Sequence, residues 1–176
     1  MRTEYLLDRE VDLVLHLLTP ENRLVIRTCL ATGLRVSDVL ELRPDRLKPH
    51  CWVTERKTGK RRQIGLPEPL LSDLRQAAGV LWVFPGTDPR KHRTRQAVWK
   101  DVKRAAIAMR LVQNVGPHSF RKVYAVKLYE KYGSIDRVRR ALNHNSETVT
   151  AIYAMADAQL ERRYAARRRA PGRSRA

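Results

Sequence analysis

Between Trp52 and Leu66 the hydrophobic period of this chain switches from that of a helix to that of a strand and back, and no other feature restricts the fold more. Trp52-Val53-Thr54 and Gln63-Ile64-Gly65-Leu66 read as two short strands around Lys57-Thr58-Gly59-Lys60, with Gly59 supplying the turn of a β-hairpin. On either side the apolar spacing is helical. Leu6, Leu7, Val11, Val14, Leu15 and Leu18 mark a first amphipathic helix. Thr19-Pro20-Glu21 starts a second, with Thr19 as cap and Pro20 in the first turn, and Gly33 stops it. A third runs from Val36 to Leu42 and ends before Pro44. Beyond the hairpin, Pro67 opens a helix to about Ala78, Leu81 to Phe84 is a short apolar stretch, and residues 94–110 are helical again. After the Gly116-Pro117 break, helices are expected from His118 to Lys131, Ser134 to Leu142, and Ser146 to about Tyr153. The fold class this predicts is mainly α with a small antiparallel β-sheet (α+β).

Charge narrows the partner. Thirty-six Lys and Arg against 18 Asp and Glu give +18 over 176 residues. Such an excess repels itself in a compact body and points to a polyanion, with affinity gained by counterion release. No apolar run approaches the roughly 18 residues of a membrane span, so no membrane is expected. The acids in MRTEYLLDREVD, with no small-residue cleavage site, argue against a signal peptide. Cys29 and Cys51 lie far apart without a CxxC partner, against both a zinc site and a disulfide framework. A reducing cytoplasm is the expected compartment.

Several residues have chemistry to offer, although each alone has an ordinary explanation. Arg35 follows Gly33-Leu34 where one helix gives way to the next, and Asp38, one turn on, is placed to hold its guanidinium. If Pro117 opens its helix, His118 and Arg121 share a face, joining a proton relay to a planar phosphate binder. Five cations crowd seven positions of the hairpin (Arg56, Lys57, Lys60, Arg61, Arg62), which suits contact with a phosphate backbone in a groove. A solvated loop is the plain alternative there, above all for Arg61 and Arg62. His144 follows Ala141-Leu142-Asn143, and Tyr153 stands nine positions further on.

The order of these residues says more than any one of them. Arg35 in ATGLRVSDVLEL, Lys57 in RKTGK, His118 and Arg121 in HSFRK, His144 in ALNH and Tyr153 in TAIY together resemble the catalytic domain of the tyrosine recombinase (phage integrase) family. The resemblance extends over roughly Leu18 to Ala154. It implies that Arg35 and Arg121 clamp the scissile phosphate, that Tyr153 is the nucleophile, and that Lys57 is the general acid. His118 and His144 match positions that assist by hydrogen bonding and proton transfer, and Asp38 the acidic position supporting the first arginine. Asn143 departs from the family's usual Gly before the second His, a small change because Asn tolerates a left-handed backbone.

Residues 1–160 are then expected to form a single catalytic domain and residues 161–176 a basic C-terminal tail. No N-terminal core-binding domain is expected, as in some short DNA invertases of the family. The implied reaction is site-specific DNA recombination (integration, excision or inversion) through a transient 3′-phosphotyrosine, with no metal and no cofactor. Double-stranded DNA is the expected partner, and a homo-oligomer, a tetramer on DNA, the expected assembly. The setting would be the nucleoid of a bacterial, archaeal or phage-bearing cytoplasm. Arg56, Lys60, Arg61, Arg93, Arg95 and Lys122 are expected to bind DNA. Of the last seven cations, Arg162 to Arg175, two readings stay open: a terminal helix exchanged between protomers, or a tail binding backbone without specificity. A topoisomerase IB-like nicking-resealing activity, a non-catalytic basic DNA-binding regulator and a basic RNA-binding protein are the rival functions.

Overall fold

The structure, a computed structural model, describes residues 4–111 and 114–142. Its elements follow the punctuation of the sequence. They are α1 (Asp8–Leu17), α2 (Pro20–Thr32), α3 (Val36–Leu40), β1 (His50–Thr54), β2 (Arg61–Gly65), α4 (Glu68–Ala77), α5 (Arg95–Ala108), α6 (Pro117–Tyr132) and α7 (Ile135–Leu142). A single 3₁₀ turn, Pro44–Arg46, follows α3 and was not foreseen.

Helix α2 is the hub, packing against α1, α3, α4, α5 and α6, with the hairpin laid across one end. Val25 and Ile26 from α2, Leu71 and Leu74 from α4 and Phe120 from α6 are fully buried in one continuous core. Side chains of this size each contribute about 1.5–3 kcal/mol on burial, so the core holds α2 and α6 in fixed relation. That relation matters because the ends of these two helices carry the site. Among the described residues no helix is long and apolar enough to cross a membrane.

The start of α2 differs in chemistry from the sequence reading. Thr19 does occupy the N-cap position with Pro20 in the first turn, but its side chain makes no cap bond. Its hydroxyl and backbone N–H both donate to the Asp101 carboxylate on α5, at 3.0 and 2.9 Å, and Asn22 adds a third bond at 2.8 Å. Bonds to an ionised acceptor are the stronger kind, and they orient the Thr19 hydroxyl as a donor toward Asp101. The result pins α2 to α5.

The hairpin is antiparallel, with Cys51 opposite Ile64 and Val53 opposite Arg62. Cys51, Val53 and Ile64 are buried, while Trp52, Thr54 and Arg61 face outward. Period-two alternation therefore places Glu55 and Arg62 on the inward face beside aliphatic residues. Both strands are longer than the apolar pattern suggests. His50 pairs with Gly65 and Arg61 with Thr54 through backbone groups, to which hydropathy is blind.

Candidate active site

The site begins at a helix corner. Gly33 ends α2 in the left-handed conformation (φ 65°), its N–H bonded to the Cys29 carbonyl at 2.8 Å, and Arg35 is at once the N-cap of α3. The extended backbone of Arg35 carries its guanidinium toward the hairpin. There Nη1 donates to Oε2 of Glu55 at 2.7 Å.

Asp38, the expected support for Arg35, lies 4.0 Å from that nitrogen. Its other oxygen accepts the backbone N–H of Arg56 at 3.0 Å. Asp38 thus chiefly fastens α3 to the hairpin, and Glu55 is the nearer partner of Arg35. Sequence reasoning does not single out Glu55, although the inward alternation Cys51, Val53, Glu55 was a usable signal.

The carboxylate of Glu55 is fully buried, and its second oxygen lies 3.2 Å from Nε of Arg62. Arg62 also donates to the Thr32 carbonyl at 3.0 Å and to the Ala141 carbonyl at the end of α7. Its side chain is only 11% exposed. The solvated-loop reading is therefore wrong for Arg62, because β2 turns it inward opposite Val53. Arg61 does face out, its guanidinium 5.5 Å from the ring of the exposed Trp52.

Pro117 opens α6 behind Gly116, so His118 and Arg121 share a face, as the spacing implied. Arg121 is 2% exposed. One terminal nitrogen donates to the Gly33 carbonyl and the other to the Leu142 carbonyl at 2.6 Å. Arg62 and Arg121 thereby tether the end of α7 to the core of the site. His144 and Tyr153 lie outside the described residues.

A cavity of about 710 Å³ collects these groups. Arg35, Lys57, His118 and Arg121 line it, together with Arg95, Gln96 and Trp99 from α5. The chain thus brings residues from four separate segments to one cleft. Of the remaining expected DNA contacts, Arg95 and Lys60 are exposed and Lys122 is half-buried. Arg56 is exposed but ion-paired with Glu41 at 3.2 Å. Arg93 lies half-buried, 3.5 Å from Glu21.

The sequence pattern of the phage integrase family matches residues 4–159. The chain belongs to the phage integrase family. Among its relatives is the "Probable integrase/recombinase YoeC" of Bacillus subtilis, 30% identical over 128 residues, covering 69% of this chain and 70% of that protein. Another is the tyrosine recombinase XerD of Lacticaseibacillus casei, 31% identical over 151 residues, covering 75% of this chain and 49% of that protein. The fold of this family member is similar to that of a lambda integrase chain, solved as a tetramer bound to a Holliday junction. The TM-score is 0.71 at 23% identity, over 86% of this chain and 48% of that one. The chain thus spans about half the length of the XerD and lambda proteins.

Electrostatics in this family member follow from burial and from the crowd of cations. Burial alone would raise the Glu55 carboxyl, but the Arg35 hydrogen bond and the charges of Arg35, Arg62 and Arg121 outweigh it and hold it below its usual range. Asp38 goes the other way. Burial raises it, and the charge of Glu55 adds to that, against the Arg56 N–H and the arginines. Burial, then the neighbouring charges of Arg35 and Arg62, pulls Arg121 down to about 10, so it stays charged at neutral pH. His118 is exposed at the cleft, and its imidazole is lowered by desolvation of the inner part of the ring, then by Arg121, Lys122, Arg35 and Lys57. The shift favours the neutral form, which can accept a proton as well as donate one. Two fixed guanidiniums, a neutral imidazole and an ammonium on a turn can bind a phosphodiester and stabilise charge growing on its oxygens.

Proposed function

We propose that this chain breaks and rejoins DNA as a site-specific tyrosine recombinase, in integration, excision or inversion. The observation carrying this reading is the convergence of Arg35, Lys57, His118 and Arg121 on one cleft. In a chain of net charge +18, such a cleft fits a phosphodiester backbone.

A diester already bears one negative charge and gathers more on its oxygens in the transition state, so positioning and charge stabilisation do most of the work. Arg35 and Arg121 supply both. The phenol oxygen of Tyr153 attacks phosphorus and loses its proton to a base, His118 or His144. A phosphorus–tyrosine bond forms as the bond to the 5′-oxygen breaks, and Lys57 protonates that oxygen. The 3′-phosphotyrosine keeps the bond energy, so a 5′-hydroxyl of another strand reverses the step. Leu142, held by Arg121, stands eleven positions ahead of Tyr153. That short separation from a residue tied to the cleft by Arg121 supports a return of the phenol to the same cleft. Exchange between two duplexes calls for several copies, so a homo-oligomer on double-stranded DNA is part of the proposal.

The test is a nicked suicide duplex whose 5′-hydroxyl fragment diffuses away after cleavage. The native chain should become covalently attached to DNA at Tyr153, while Tyr153→Phe should bind with affinity within a few-fold and form no adduct. Binding without any adduct would leave a basic DNA-binding regulator. Relaxation of supercoiled DNA by a monomer, with no strand exchange, would point to nicking-resealing instead.

A further inference from the structure

A carboxylate buried behind the cleft, that of Glu55, is used by none of the steps above. We propose that Glu55 is a positioning residue that locks the turn carrying Lys57 to the Arg35 guanidinium, so that the proton donor and the phosphate clamp act in fixed register. The proposal rests on the DNA-cleavage reading and names a residue that the ordered motif does not contain.

Three sets of contacts carry it. The Glu55 side chain is fully buried, with Oε2 accepting from Arg35 at 2.7 Å and also from the Thr58 hydroxyl at 3.2 Å, while Oε1 faces Arg62 at 3.2 Å. Its backbone builds the same turn. The Glu55 carbonyl accepts from Thr58 and Gly59, at 3.3 and 2.8 Å, and the Glu55 N–H donates to the Lys60 carbonyl at 2.9 Å. Gly59 takes the left-handed conformation (φ 66°) that closes the loop. Lys57 is two positions from Glu55, inside that closed turn, and lines the cleft with Arg35.

A proton donor must stand within hydrogen-bond reach of the leaving oxygen while the clamp holds the phosphate, and a misplacement of about 1 Å can cost on the order of a hundredfold in rate. An exposed lysine on a free hairpin tip has no such fixity. One carboxylate bonded at once to clamp and turn provides it. The arginine charges keep that carboxylate ionised despite its burial. Glu55 could instead serve only to hold the hairpin on the core, and the two roles differ in which chemical step they affect.

The experiment compares native chain, Glu55→Gln and Thr58→Ala on two nicked duplexes, one with the ordinary 5′-oxygen and one with a 5′-bridging sulfur that leaves without a proton. Glu55→Gln keeps the shape and the acceptor oxygen but removes the charge. Thr58→Ala cuts the link from the exposed side of the turn and leaves the buried ions paired, so it remains informative if Glu55→Gln fails to fold. On the oxygen substrate, Glu55→Gln should cleave about tenfold or more slowly and Thr58→Ala a few-fold slowly, both with DNA affinity near native. On the sulfur substrate most of each deficit should disappear. A deficit of the same size on both substrates, or no deficit, overturns the positioning role while leaving native cleavage intact. Absence of cleavage by the native chain removes the DNA-cleavage reading and this inference with it.

Discussion

The corner at Gly33 is where fold and site meet, and Gly33→Ala tests both. Two costs can be worked out separately. A left-handed backbone costs an alanine about 1–2 kcal/mol, partly offset by about 0.4–1 kcal/mol from the stiffer unfolded chain. The added methyl would also stand 2.4 Å from two carbons of the Tyr124 ring. Comfortable carbon–carbon contact is about 3.5–4.0 Å. The ring would have to retreat by more than an ångström, in a part of α6 flanked by the buried Val123 and Ala125. Overpacking of this kind costs about 1–3 kcal/mol. The expected loss is therefore about 2–4 kcal/mol, read by urea unfolding as a lower midpoint at unchanged slope. In a Tyr124→Ala background the steric part should vanish and leave about 1 kcal/mol. The Gly33 carbonyl also accepts from Arg121, so the single variant should cleave DNA more slowly even where it is fully folded. A loss below about 1 kcal/mol, or an equal loss in both backgrounds, would refute the argument that Tyr124 and φ together require glycine here.

Three further outcomes follow from the same contacts. Arg35→Ala should lower cleavage by roughly a hundredfold or more, as for the loss of one charge-stabilising donor, while DNA binding falls far less; near-normal single-turnover rates would remove Arg35 from the clamp. Arg62→Ala leaves the buried Glu55 short of a partner and unties β2 from Thr32 and Ala141, which should cost about 3–5 kcal/mol in urea unfolding; a loss within experimental error would mean that the outer-loop reading of Arg62 was right. Burial pushes the Asp101 carboxyl up, but its bonds from Asn22, Thr19 and Arg104 hold it below the usual range. Its stabilisation is therefore complete above the unfolded carboxylate value, about 3.9, and fades as pH falls through the lower folded value. Asp101→Asn should flatten the acid side of the Tm-versus-pH curve, and an unchanged acid slope would contradict the assignment.

The sequence disclosed the elements because Gly and Pro mark their ends. Gly33 and Gly133 close α2 and α6 in left-handed caps, and Pro20 and Pro117 open helices where the fixed φ of proline is already right. Arg35, Lys57, His118 and Arg121 were legible through their order and local context, and the cleft brings all four together. What stayed hidden depended on tertiary partners. The Thr19 hydroxyl serves Asp101, 82 positions away, and no local rule anticipates that. Helical spacing pairs Asp38 with Arg35, and the two do face each other at 4.0 Å, but the nearer partner at 2.7 Å is Glu55 on the hairpin, which spacing within a helix does not reach. Glu55 and Arg62 were lost in a run of charges that reads as solvent-facing, although alternation along the strands turns both inward.

That inward pair explains how a cationic cleft can be part of a stable core. Among the described residues three guanidiniums, Arg35, Arg62 and Arg121, crowd around two buried carboxylates, Asp38 and Glu55. Removing a charge from water costs several kcal/mol unless a partner restores it, so the carboxylates make the arginines tolerable. They do not balance them. Three positive charges against two negative leave an excess of one even with both acids ionised. His118 is lowered by desolvation first and then by the neighbouring cations, which disfavours a further positive charge there. A phosphodiester brings one negative charge when it binds and more as its transition state develops, so attraction grows along the reaction coordinate rather than being spent at binding. On this account Asp38 and Glu55 tune the cleft as much as they support it. They supply enough negative charge to fold the arginines in, and too little to neutralise them.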